Sequence, residues 1–84
     1  MHEVRQRTAK VYVRVRADFD RDGNITPLSV EWEDGRVYDI DRVLNVRRCV
    51  SLKAGGMGMR YTVRIGRRQT CLFYEDPAWF VERK

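Results

Sequence analysis

Lys10–Phe19, KVYVRVRADF, decides the fold: Val11, Val13, Val15, Ala17 and Phe19 alternate with Tyr12, Arg14, Arg16 and Asp18. A period of two sends successive side chains to opposite faces, as in a strand, and no helix of period 3.6 sorts these residues that way. The stretch is therefore a long, half-buried β-strand. Beyond it, Asp22-Gly23-Asn24 supplies turn chemistry, and Leu28, Val30 and Trp32 then alternate with Ser29, Glu31 and Glu33. A second strand thus pairs back on the first, with Pro27 limiting pairing at its start.

Asp34-Gly35 stands between Trp32 and the Val37, Tyr38, Ile40 run and predicts a hairpin turn in which both residues take positive φ. Asp41–Leu44 has weaker strand character and fits either a short helical turn or a strand crossing before Val46–Leu52. The adjacent charges Arg47-Arg48 predict a bulge or an edge there. After the connection Ala54–Gly58 (AGGMG), Met59, Tyr61, Val63 and Ile65 alternate with Arg60, Thr62 and Arg64. Gly66-Arg67 turns into Thr70, Leu72 and Tyr74, which alternate with Gln69, Cys71 and Phe73, and a short Trp-Phe-Val segment follows Asp76-Pro77.

Six or seven short strands with tight turns, and no helix-period run, predict an all-β fold: a small antiparallel meander curled into a partly open SH3-like barrel. Curling protects edges and gives one core two sides. An OB-like barrel is disfavoured because it usually carries a helix between strands. The expected organisation is a flexible polar arm over residues 1–9 and a single β-barrel domain over residues 10–84.

The chain has 84 residues, enough for one modest core, and 17 Lys and Arg against 12 Asp and Glu, a net charge of +5. Fourteen of the cations are Arg. A basic excess favours anionic partners, and Arg forks onto phosphate and carboxylate, although genome base composition can also enrich Arg. Cys49 and Cys71 are too few for a disulfide framework and lack zinc-site spacing; strands apart in a meander, they read as two reduced thiols. The N-terminus has no apolar core for a signal peptide and no stretch is long enough for a membrane helix, so a soluble, cytoplasmic protein with no membrane contact is expected.

Asp18, Asp20, Asp22, Gly23 and Asn24 match positions one, three, five, six and seven of a calcium loop. Position twelve is Ser29 where a bidentate Glu belongs, position ten is Pro27, and the flanks are strands. A hairpin turn that demands Asp and Gly is the better account, with calcium held as a third reading. Gly55-Gly56-Met57-Gly58 precedes a strand instead of a helix, so close backbone approach explains it better than phosphate binding. His2, the only histidine, sits in the arm, so neither a Ser-His-Asp nor a Cys-His arrangement can be built on the folded part. No enzyme and no cofactor is expected.

Two Arg stripes remain. Tyr12, Arg14 and Arg16 share the polar face of the first strand, Arg60, Thr62 and Arg64 share that of the fifth, and Arg47, Arg48, Arg67 and Arg68 stand at neighbouring segment ends. Arg interleaved with Tyr on an exposed sheet is how single-stranded nucleic acid is commonly held. A solvated face balanced by Glu31, Glu33, Asp39 and Glu75 is the plainer alternative. The leading expectation is an adaptor that contacts nucleic acid or an acidic protein through Arg14, Arg16, Arg60 and Arg64, with Tyr12 stacking. The runner-up is a protein-interaction or homodimer module using a sheet edge or the aromatics Phe73, Tyr74, Trp79 and Phe80, the chain being a monomer or weak homodimer.

ITPLSVEWEDGRVYDIDRVLNVRR (25–48), SLKAGGMGMRYTVRI (51–65) and LFYEDPAWFVE (72–82) together resemble a group of short bacterial proteins of unknown function. A Trp-x-x-Gly-Arg-x-Tyr hairpin and a closing Trp-Phe-Val recur in that group. The resemblance implies a small barrel and no particular activity, cofactor or catalytic residue.

Overall fold

The alternation of apolar and polar side chains resolves into seven strands in a computed structural model that describes residues 9–50 and 57–83. They are β1 (Ala9–Phe19), β2 (Ile25–Glu31), β3 (Val37–Asp39), β4 (Arg42–Val50), β5 (Met57–Ile65), β6 (Arg68–Glu75) and β7 (Ala78–Arg83). All pairings are antiparallel, in the order β3-β2-β1-β7-β6-β5-β4, and the described residues contain no helix. Residues 1–8 of the expected arm lie outside the described residues, and Ala9 already belongs to β1, opposite Arg83.

β1 is long because it serves two sheets. Its first half, Ala9–Val13, pairs with β7, and its second half, Arg14–Phe19, pairs with β2. Every pair of sequence neighbours lies side by side except β3 and β4, which stand at opposite ends of the order. Only Ile40 and Asp41 join those two strands. Such a link reaches roughly 10 Å, whereas six strand spacings of a flat sheet would separate the ends by roughly 29 Å. The sheet must therefore fold back on itself into a curled half-barrel. The link is stitched to both sides: Ile40 N donates to Leu28 O at 2.9 Å and Asp41 N to Arg64 O at 2.8 Å. The β1–β7 pairing also takes two terminal strands that a simple meander leaves as edges and places them mid-sheet.

The first two hairpins share one turn. Gly35 N donates to Trp32 O at 2.9 Å and Trp32 N to Arg36 O at 2.8 Å; Gly23 N donates to Asp20 O at 3.1 Å and Asp20 N to Asn24 O at 3.0 Å. Both are three-residue loops ending in a glycine with φ of 88°, and no non-glycine residue described has positive φ. The Asp34-Gly35 turn is thus a type I turn closed by a left-handed glycine, not one in which Asp34 also takes positive φ. The third loop residue absorbs the strand twist that Asp34 would otherwise have to accommodate.

The inward faces of both sheets build one core of Val30, Tyr61, Val63, Leu72 and Trp79, with Val13, Val15, Ala17, Ile25 and Val43 packed against it. Val63 is 0% and Leu72 1% exposed, so each contributes roughly 1.5–3 kcal/mol of hydrophobic stabilisation. Tyr61, 2% exposed, spans the core and donates its hydroxyl to Ile25 O at 2.9 Å, tying β5 to β2. Its ring and that of Tyr74 lie 5.5 Å and 4.5 Å from Trp79. Phe19, at the far end of the apolar face of β1, overshoots this core and is exposed.

Candidate functional site

Register fixes what stands beside what on the convex face. Tyr12 lies opposite Phe80, Phe80 opposite Phe73, Phe73 opposite Arg60, and Arg60 opposite Arg47. Cross-strand partners share a face, so these five residues form one row across β1, β7, β6, β5 and β4. Phe80, only 3% exposed, is the anchor of the aromatic half. Phe73 stacks on it at 5.1 Å, Tyr12 tilts against it at 5.7 Å, and Lys10 Nζ sits 4.5 Å over its ring while pairing with Glu75 at 3.4 Å. Tyr12 stays 55% exposed, so its ring faces solvent beside that anchor.

Toward β4 the row becomes cationic. Arg47 lies directly opposite Arg60, and two rows further on Arg42 lies directly opposite Arg64, whose other neighbour is Gln69. Asn45, Thr62 and Cys71 fill the row between them. Like charges directly opposite each other destabilise a sheet. Among the described residues the ion pairs are Lys10–Glu75, Arg36–Asp34 and Arg83–Glu33; none involves Arg42, Arg47, Arg60 or Arg64.

The other sheet is arranged differently. Arg14 lies opposite Glu31, and Arg16 opposite Ser29, which in turn faces Asp39. Arg14, Arg16, Ser29 and Glu31 line a shallow hollow of about 400 Å³. Each Arg here has an acid in its own row, as expected of a solvated face. From the Tyr12–Arg60 row, Arg16 lies four residues one way and Arg64 four residues the other, three strands across. That places them roughly 25–30 Å apart along the sheet. The structure therefore puts Tyr12 and Arg60 in one row and holds Arg16 far from Arg64; Arg14 follows Tyr12 on the same face of β1 but has Glu31 directly opposite it on β2.

Arg42 and Arg47 are absent from the site that the sequence alone suggests. Five residues apart, they should by alternation face opposite ways, but Leu44 is an extra residue that resets the register between Val43 and Asn45. The bulge sits there and not at Arg47-Arg48, where β4 is instead the edge expected. Phe73 is legible on the polar face of β6, but its neighbours depend on the β6–β7 pairing.

The acidic loop is occupied by its own backbone. Asp20 Oδ1 accepts from Asp22 N and Asn24 N, both at 2.9 Å, and Asp20 Oδ2 accepts from Asn24 Nδ2 at 3.1 Å. The bonds from Asn24, and then those from the turn amides, hold the Asp20 carboxyl below its ordinary pKa. Asp18 stands across from Thr26 on the paired strands, and Glu31 lies well up β2, opposite Arg14. No group of three His, Cys, Asp or Glu among the described residues is placed to hold a metal. Of the glycine loop, Gly58 is described: a Cβ there would meet Tyr74 O at 3.1 Å, so close backbone approach explains it. Cys49 and Cys71 are free thiols on β4 and β6, separated by β5. Of the C-terminal aromatics, Trp79 and Phe80 are buried and Phe73 and Tyr74 partly buried. No helix described is long and apolar enough to cross a membrane.

No protein-family model, curated protein or solved structure matches this chain. The resemblance to short bacterial proteins rests on its quoted residues alone.

Proposed function

We propose that this half-barrel is an SH3-like, non-catalytic binding domain that holds single-stranded nucleic acid across the convex face of β4, β5, β6, β7 and the first half of β1. Arg42, Arg47, Arg60 and Arg64 contact the phosphates, and Tyr12 and Phe73 offer ring faces to bases. The observation that carries this reading is the presence of two Arg–Arg cross-strand pairs without an ion-pair partner among the described residues, of which Arg47–Arg60 continues the aromatic row and Arg42–Arg64 lies two rows along. Phosphates relieve a repulsion that the fold otherwise sustains, and stacking adds roughly 1–3 kcal/mol per base without demanding a sequence. Arg14 and Arg16 are left to the solvated face.

The test is an NMR titration with short single-stranded DNA and RNA oligomers at low salt. Amides of Tyr12, Arg47, Arg60, Arg64 and Phe73 are expected to shift together. Four phosphate contacts give a log–log salt slope of about −3, so raising salt tenfold should weaken binding by a factor on the order of 10²–10³. Absence of shifts on this face at low salt sinks the proposal. An acidic protein held by charge alone would lose affinity with Arg60→Ala and keep it with Tyr12→Ala, whereas a nucleic-acid ligand loses it with both.

A further inference from the structure

A second surface lies inside the curl. The β6–β7 ladder has only three pairs, Phe73–Phe80, Tyr74–Trp79 and Glu75–Ala78, although β6 runs back to Arg68 and β7 on to Arg83. Beyond Phe73 and Phe80 the two strands part, each keeping its other neighbour: β6 stays on β5 and β7 on β1. Arg68–Leu72 therefore has no ladder partner on its β7 side among the described residues. The gap opens into a groove of about 680 Å³ between the two sheets. Its walls include Trp32, Tyr38, Ile65, Leu72 and Val81, with Thr70 and Arg68 along the open edge. Arg83 closes one end, bound to Glu33 at 3.1 Å and lying 5.5 Å from the Trp32 ring.

The other long free edge is guarded. β4 is bulged at Leu44 and carries Arg42, Arg47 and Arg48, and β3 has only three residues. Those are the usual devices against strand addition. The edge Gln69-Thr70-Cys71-Leu72 is unbulged against β5, uncharged and backed by an apolar cleft, and it has none of them. Just outside it stand Arg68, Arg67 at the turn, and Arg64, which lies opposite Gln69 on the convex side.

We propose that this groove takes an extended peptide segment in which apolar and acidic residues alternate, added as a strand to the β7-facing edge of β6. Strand addition supplies main-chain hydrogen bonds, and alternate side chains supply specificity. Inward residues of the peptide enter the cleft between Trp32, Ile65 and Leu72. Outward ones meet Arg64 and Arg67, and an acid at the mouth meets Arg68. The site lies off the Tyr12–Arg60 row and shares only Arg64 with the nucleic-acid face proposed above, so peptide binding does not require nucleic acid.

The probe is a capped seven-residue peptide alternating Glu and Val, titrated into the full chain, with a block-sequence peptide of the same composition as control. Amides of Gln69–Leu72 and of Val81 and Glu82 are expected to shift and exchange more slowly with solvent. Thr70 is exposed and lies opposite Val63, so Thr70→Glu places a like charge in the path of the peptide. Thr70→Glu and Arg68→Glu should each weaken binding by about tenfold or more. Melting temperature and oligonucleotide binding should stay unchanged in Thr70→Glu. The proposal is overturned if the alternating peptide leaves these amides unmoved, if the block peptide binds equally well, if the shifts fall on Arg47 and Arg60, or if Thr70→Glu binds like the parent.

Discussion

Arg47→Glu should make the protein more stable and a poorer binder. Arg47 faces Arg60 directly across β4 and β5, both side chains are exposed, and neither has an ion-pair partner among the described residues. Like charges so placed cost roughly 0.2–1 kcal/mol and opposite charges contribute a similar amount. Reversing one sign is therefore worth roughly 0.5–1.5 kcal/mol at low salt, slightly reduced by the weaker strand preference of Glu. For a domain of this size about 1 kcal/mol moves the melting temperature by about 4–8 °C.

Thermal unfolding in low and high salt reads this directly. Salt should raise the melting point of the parent by relieving the repulsion and lower that of Arg47→Glu by screening the new attraction, so the two curves converge. In an Arg60→Ala background the gain should vanish, because the charge opposite is gone. A fall in melting temperature with Arg47→Glu at low salt, or a gain that survives Arg60→Ala, would refute the reasoning. Loss of oligonucleotide affinity in a stabilised variant could not be attributed to misfolding.

Tyr61→Phe removes the hydroxyl bonded to Ile25 O at 2.9 Å and should cost about 0.5–1.5 kcal/mol in denaturant unfolding. Burial raises the Tyr61 pKa above its ordinary 10.0, so its contribution is complete below that ordinary value and is lost as pH climbs through the raised one; Tyr61→Phe should blunt that alkaline loss. For Asp20 the sign is opposite: its lowered pKa gives a contribution present above pH 3.8 that disappears as pH falls through the lowered value, and Asp20→Asn should remove this acid sensitivity in a melting series. Gly58→Ala drives a Cβ to 3.1 Å from Tyr74 O, in a ladder that cannot yield without moving β6, and should lower the melting temperature while NMR signals of the hairpin at Gly35 stay in place.

Most of the fold was legible because it depends on alternation, which is local. Val11 to Ala17 and Met59 to Ile65 state their inward face without reference to a partner, and the Asp-Gly and Asp-Gly-Asn turns state where strands reverse. On β2 the expected inward Leu28 is instead exposed and Pro27 buried, because the pairing with β1 shifts register between Pro27 and Ser29. What alternation cannot state is which strands meet. The β1–β7 pairing joins strands from opposite ends of the chain, and nothing in Tyr12 or Phe80 alone announces the other. The row that unites Tyr12, Phe80, Phe73 and Arg60 is thus a product of topology, although each member was visible as an outward or aromatic residue.

Leu44 hid the remainder of the site. One extra residue inverts the parity of everything after it, so Arg42 and Arg47 reach the same face only because the strand is bulged between them. With that register in hand the two Arg clusters cease to be equivalent. At Arg14 the chain places Glu31 directly opposite, the arrangement a solvated sheet favours. At Arg47 and Arg42 the positions opposite are Arg60 and Arg64, where one Glu in place of either would have served stability better. The same fold contains both solutions on exposed sheet faces, so general basicity of the chain does not account for the difference. The nucleic acid proposed above would bring the missing negative charge.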